Sequence, residues 1–361
     1  MESNQKSVKS GAKYVRLFIV LLILVTFAGC AVYMVSILRC PPVCTGQNLT
    51  NRDFRSKSLS DANFSNASLK GVDFTSASLN NADFSGADLS GASLKGASVV
   101  EADFSGAQLI GADFTGANLT ASIMDLANLN SAIFSDAKLI GVDFSNGVKL
   151  TAANFNKAVL INADFTGADL TGALFSDANL NGAKLSRAKM DGTNLSGASL
   201  HGANLVGASL LGATLDRANL QGVLLEYADM SGVSLDRSNL NGAEMRNVNL
   251  TGAKLTVSSL SGAEMSEAIM SDSLFSGTIV SGSNLADTSQ VNTRYEIYKN
   301  ERFPPYIILL PSNLDGTDMS RAILLGTSLE GASISGANTT DIVYDDTTIW
   351  PMRLLSIQST Q

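Results

Sequence analysis

Histidine and tryptophan each occur once in the 361 residues, cysteine occurs three times, and charged residues make up only 16%. The lone imidazole, His201, has no second histidine to share a metal or relay a proton. One close cysteine pair, Cys40 and Cys44, does not make a metal site by itself. No nucleophile stands at a recognisable spacing from a base, and no glycine-rich loop joins a strand to a helix to hold phosphate. These absences point away from an enzyme, a cofactor, a metal and a small-molecule substrate. The net charge of −8 attracts neither nucleic acid nor an anionic surface.

Charge is missing altogether from residues 17–38, LFIVLLILVTFAGCAVYMVSIL. A helix of that length spans about 33 Å, enough for a bilayer core. Two other readings stand beside a retained transmembrane anchor. One is a buried soluble helix, for which nothing downstream offers a helical partner. The other is a lipoprotein signal ending at "FAGC", with Cys30 lipidated, although apolar residues continue for eight positions beyond it. Lys6, Lys9, Lys13 and Arg16 precede the span and place the N-terminus in the cytoplasm and the remainder outside it. There, Cys40 and Cys44 in "RCPPVC" are candidates for a local disulfide.

What is abundant is small and periodic. In "ADFSGADLSGASL", residues 82–94, alanine recurs every five residues and a large apolar residue follows two places later. These apolar centres run from Leu49 through Phe54, Leu59 and Phe64 to Phe144, gain one residue near Gly147, and resume at Leu150 as far as Leu285. A shorter run goes from Leu314 to Ile334. Five residues advance an α-helix by about 500°, which scatters the centres around the axis. On a flat strand an odd period sends them to alternate faces. The chain must turn once per repeat, and four turns close a square coil of about twenty residues stacked at the strand spacing of about 4.8 Å. Residues twenty apart then share a column. Phe54, Phe74, Leu94, Phe114 and Phe134 form one, and Phe64, Phe84, Phe104, Met124 and Phe144 the facing one.

The pattern A-[DN]-[LF]-x-x resembles that of the pentapeptide-repeat family. The resemblance implies an all-β, right-handed quadrilateral β-helix, and here it follows one transmembrane α-helix. The chain divides into a basic tail (1–16), the span (17–38), a cysteine-bearing linker and N-cap (39–46), the repeat body (47–285), a non-repeat insertion (286–311), further repeats (312–340), and a C-terminal cap and tail (341–361). "DIVYDDTTIWP", 341–351, resembles the aromatic and Trp-Pro endings of family members.

Within the insertion, Tyr295, Tyr298, Phe303 and Tyr306 fall close together. They read either as a cover for an exposed sheet edge or as a partner-binding loop. Aspartates such as Asp83 and Asp103 sit outside, one place before a centre, where they serve solubility and turn hydrogen bonds. Asp216 over Asp236, and Arg217 over Arg237, predict a small surface ion lattice. The function these residues imply is a non-enzymatic, membrane-anchored scaffold for unidentified protein partners. The alternative comes from the resemblance: some relatives imitate DNA and act on a topoisomerase.

Overall fold

The computed structural model describes residues 40–275 without interruption, then 278–280, 283–286, 288, 314–320, 322, 324, 329, 332–344, 346 and 348–350. Residues 1–39, with the apolar span and Cys30, lie outside these, as do Tyr295, Tyr298, Phe303 and Tyr306.

The repeat explains itself through its five backbone amides. A buried amide without a partner is costly, so each N–H needs an acceptor. In the repeat Ala82–Gly86 and its neighbours, Ala87 N–H donates to Phe84 O at 2.9 Å and closes a turn. Gly86, at φ 65°, occupies the turn position that needs a left-handed backbone, as in a type II turn. Three more amides bond along the stack. Asp83 N–H reaches Ala62 O, Phe84 N–H reaches Asp103 O and Gly86 N–H reaches Ser105 O, at 2.7–3.0 Å. The fifth amide, on the residue after the centre, faces no carbonyl. Ser85 N–H is instead accepted by Asp83 Oδ1 at 2.9 Å. The acidic or amide side chain before the centre therefore completes the backbone.

Where that place holds another residue and the coil below carries Asn or Asp after its own centre, that side chain is the acceptor. Val100 N–H donates to Asn80 Oδ1, His201 N–H to Asn181 Oδ1 and Ser261 N–H to Asn241 Oδ1, each twenty residues away. These repeats carry Ser98, Ser199 and Ser259 before the centre.

Pairing residues follow each other in parallel at steps of twenty, as in Asp83↔Asp103. The step lengthens to twenty-one from Asn128↔Lys149 to Asp143↔Asp164 and returns to twenty at Lys149↔Asp169. The extra residue near Gly147 is thus absorbed in one coil, and the centres on either side keep their columns.

The interior is filled by those columns. Phe64, Phe84 and Phe104 are fully buried and stack face to face, with centroids 5.2 and 4.9 Å apart. The other phenylalanine column includes Phe114, Phe134, Phe155 and Phe175, again stacked at 4.9–5.0 Å. The two columns meet edge to face across the core, as in Phe104–Phe114 at 5.8 Å and 87°. Both arrangements suit aromatic quadrupoles. Alanines two before each centre are also buried. Where Ser or Thr replaces them, the hydroxyl bonds to a backbone carbonyl, at most sites that of the preceding centre, as Ser122 Oγ does to Leu119 O at 2.8 Å, and at Thr278 and Thr317 that of a coil below.

Both ends depart from the boundaries expected above. Cys44 is fully buried and its N–H bonds to Asn63 O, so it occupies a centre and the coil pattern starts before residue 47. A disulfide joins it to Cys40, which packs against the core end. At the other end, Leu324 N–H donates to Val343 O and Leu329 N–H to Ile349 O. Residues 343 and 349 thus form part of one more coil rather than only a lid. Trp350 packs against the core and meets Tyr344 edge-on at 5.4 Å.

Candidate functional site: the outer faces of the solenoid

A filled interior leaves only the outer faces for function. Each face is a lattice of three outward places per repeat, one before the centre and two after it. The first is largely committed to the turn. Asp73, Asp113 and Asp169 accept from the hydroxyl and N–H of Thr75, Thr115 and Thr171.

At Asp113 and Asp169 these bonds favour the ionised form. Asp169 is held below the ordinary carboxylate value by the Thr171 hydroxyl, against opposing burial. Burial pushes Asp88, Asp113 and Asp164 up. The neighbouring Ser90, Thr115 and Thr166, with Lys70, Lys95 and Lys184, outweigh it and lower all three. Asp53 falls to about 2, first through its hydrogen bond from the Arg55 side chain. Ionised carboxylates of this kind accept hydrogen bonds and do not supply protons near neutral pH. The lysine pairs themselves, at 3.0–3.1 Å, are exposed and contribute little to stability.

Aligned acids do not form an unbroken ridge. The column runs Asn63, Asp83, Asp103, Ile123, Asp143, Asp164, Lys184. Ile123 stands half exposed in its middle. Exposed apolar residues are spread along the rod: Ile110 and Leu211 share one face and Leu126 and Tyr227 another, five coils apart in each case. His201 is exposed.

The ion lattice expected around Asp216 and Asp236 takes another form. Asp216 Oδ1 accepts Ser234 Oγ–H at 2.6 Å and Asp236 N–H at 3.1 Å. Asp236 Oδ1 accepts Thr256 N–H at 3.1 Å, and Oδ2 pairs with Lys254. Both aspartates follow a centre whose next coil lacks an acceptor before its own centre, so the fifth amide claims them. Arg217 and Arg237 make no ion pair among the described residues.

The candidate partner-binding tyrosines and Phe303 lie outside the described residues, but the stack on either side is described. Asp318 N–H donates to Thr288 O, thirty residues back, where regular coils step twenty-one. Thr317 Oγ donates to Leu285 O at 2.8 Å. Residues 317 and 318 thus stack directly on the coil that holds Leu285 and Thr288, with nine more residues between the bonded pair than in a regular coil. Among the described residues, no helix is long and apolar enough to cross a membrane, and no cluster of His, Cys, Asp and Glu could hold a metal.

The family model for pentapeptide repeats matches in eight copies, over residues 58–96, 87–125, 107–146, 146–182, 178–217, 218–256 and 312–338. The chain belongs to the pentapeptide-repeat family. Among solved structures, this pentapeptide-repeat chain is similar to HetL, a pentapeptide repeat protein involved in heterocyst differentiation regulation in the cyanobacterium Nostoc. Identity is 25%, over 68% of this chain and 86% of that one, with a TM-score of 0.29. A pentapeptide repeat protein of the Arabidopsis thaliana thylakoid lumen is 33% identical over 28% of this chain and 67% of its own, with a TM-score of 0.23. Full-length QnrB1, a plasmid-mediated fluoroquinolone resistance protein, is 15% identical over 71% of this chain and 98% of its own, with a TM-score of 0.16. No curated protein matches the chain.

Proposed function

We propose that this pentapeptide-repeat protein is a non-enzymatic interaction scaffold, held at a membrane by residues 17–38 with its repeats outside the cytoplasm. The observation that carries the scaffold reading is the division of labour within each repeat. Inward residues fill the core, and the side chain before the centre completes the backbone. Only the outer corners and the interruption remain free to vary. Membrane attachment rests on the uncharged 22-residue run and the four cations before it. An oxidised Cys40–Cys44 pair fits an extracytoplasmic setting.

Partner contact is assigned to segment 286–311. Interface anchors are commonly aromatic or arginine, and this segment contains Tyr295, Tyr298, Phe303 and Tyr306 together with Arg294 and Arg302. Replacing Tyr295, Tyr298 and Tyr306 by Ser should abolish co-purification of the partner from mild detergent, with the melting curve of the solenoid unchanged. Loss of the fold would make the segment a structural cover. Survival of both fold and association would move the contact to the faces. A reporter fused at residue 361 tests the topology, and a cytoplasmic signal would reverse it.

A further inference from the structure

On the face that carries Thr214, Ser234 and Lys254 in parallel register, the outward residues enclose a groove of about 490 Å³. Arg217, Arg237, Lys254, Asp216, Asp236 and Thr256 line it. Three cations face two anions, but the groups are not equally available. Asp236 is engaged by Lys254 and by Thr256 N–H, and Asp216 by Ser234 and Asp236 N–H. The carboxylates are drawn into the backbone ladder. Arg217 and Arg237 leave the backbone one coil apart, a spacing of about 4.8 Å, and neither guanidinium has an ion-pair partner among the described residues.

A second observation is independent of the charges. Thr256 is nine-tenths buried, and its Oγ1 is the buried side-chain oxygen left without a hydrogen-bond partner among the described residues. Buried hydroxyls are almost always satisfied, and an orphan marks a place where a further group belongs. Elsewhere a buried hydroxyl closes on a carbonyl, as Ser258 Oγ does on Leu255 O at 2.7 Å.

We propose that this groove is an oxyanion site, in which Arg217 and Arg237 hold a phosphate, sulfate or carboxylate group as planar forks and the Thr256 hydroxyl, closed to solvent in the groove as it stands, turns about χ1 to donate a further hydrogen bond. Guanidinium groups suit such groups because their paired N–H donors match two oxygens at once. The group belongs either to a free inorganic anion or to the acidic side chain of a peptide. The site lies on the solenoid face and does not depend on segment 286–311.

The test is calorimetric titration of the full-length protein in mild detergent, with inorganic phosphate in one arm and a capped tetraglutamate peptide in the other. Chloride at matched ionic strength is the control. Saturable one-to-one binding in the phosphate arm indicates a free anion, and in the peptide arm alone a partner's carboxylate. Arg217→Gly with Arg237→Gly removes both charges while placing at these φ ≈ 60° positions the residue that suits them. That variant should keep its melting temperature and weaken binding at least about tenfold. Thr256→Val should weaken it about threefold or more. The site is overturned if neither probe saturates, if chloride competes equally, or if the double arginine variant binds as the unaltered protein does. Unchanged affinity in Thr256→Val overturns the role given to its hydroxyl.

Discussion

Phe104 shows what a single centre contributes. It is fully buried, stacked on Phe84 at 4.9 Å and edge-on to Phe114 at 5.8 Å. A rod has no slack to close over a missing ring, because the stacked coils fix the backbone spacing. Phe104→Ala should therefore cost about 3–5 kcal/mol in urea unfolding. Ser105→Ala, one residue on and outward, should stay within about 0.5 kcal/mol. Asp103 poses a subtler question, since its Oδ1 accepts Ser105 N–H at 2.8 Å. Asn fills the same place at Asn63 with the same bond, at 2.9 Å to Ser65 N–H. Asp103→Asn should be nearly neutral, whereas Asp103→Ala leaves an amide unpaired and should cost about 1 kcal/mol by the same measurement. An equal loss in both would mean that charge, not the hydrogen bond, is what the position supplies.

One turn of five residues is the element from which everything else is stacked, and its period was legible in the sequence because it is incompatible with both helix and strand. The columns were legible for the same reason, and so was the added residue near Gly147. Other features were hidden by distance along the chain. The amide of Val100 is completed by Asn80, and nothing local to Ser98–Val100 announces it. Asp216 and Asp236 looked like half of an ion lattice because sequence adjacency to Arg217 and Arg237 is visible, while the claim of the next coil's amides is not. Cys44 escaped notice as a centre because it lacks the usual alanine two places earlier, where Pro42 stands instead. The turn itself makes a testable demand. Gly106, at φ 67°, has open space around a would-be Cβ, so substitution there meets backbone strain alone. Gly106→Ala should cost about 1 kcal/mol in thermal or urea unfolding. Gly106→Asn should cost less, since Asn66 and Asn81 already adopt φ 57° at the matching place. If the two substitutions cost the same, left-handed strain is not what selects glycine here.

Across the whole molecule the repeated carboxylates act together, and their shared direction predicts how the rod responds to acid. Asp88, Asp113, Asp164 and Asp169 are each lowered from the ordinary 3.8, Glu264 from 4.5, and Asp53 to about 2. A carboxyl with a lower folded than unfolded value binds fewer protons in the native state. It stabilises the fold above its unfolded value and loses that contribution as pH falls through its folded value. The urea midpoint should therefore be flat from about pH 8 to 5 and fall between about pH 4.5 and 2. The fall should be shared among these six carboxylates rather than set by one of them. Asp169→Asn, which keeps the acceptor for Thr171 N–H and cannot be protonated, should leave the neutral-pH midpoint nearly unchanged and make the acid decline shallower. A midpoint that rises on acidification would mean that repulsion among the excess acids outweighs the turn bonds. The aspartates would then be borne for solubility, at a cost to the stack.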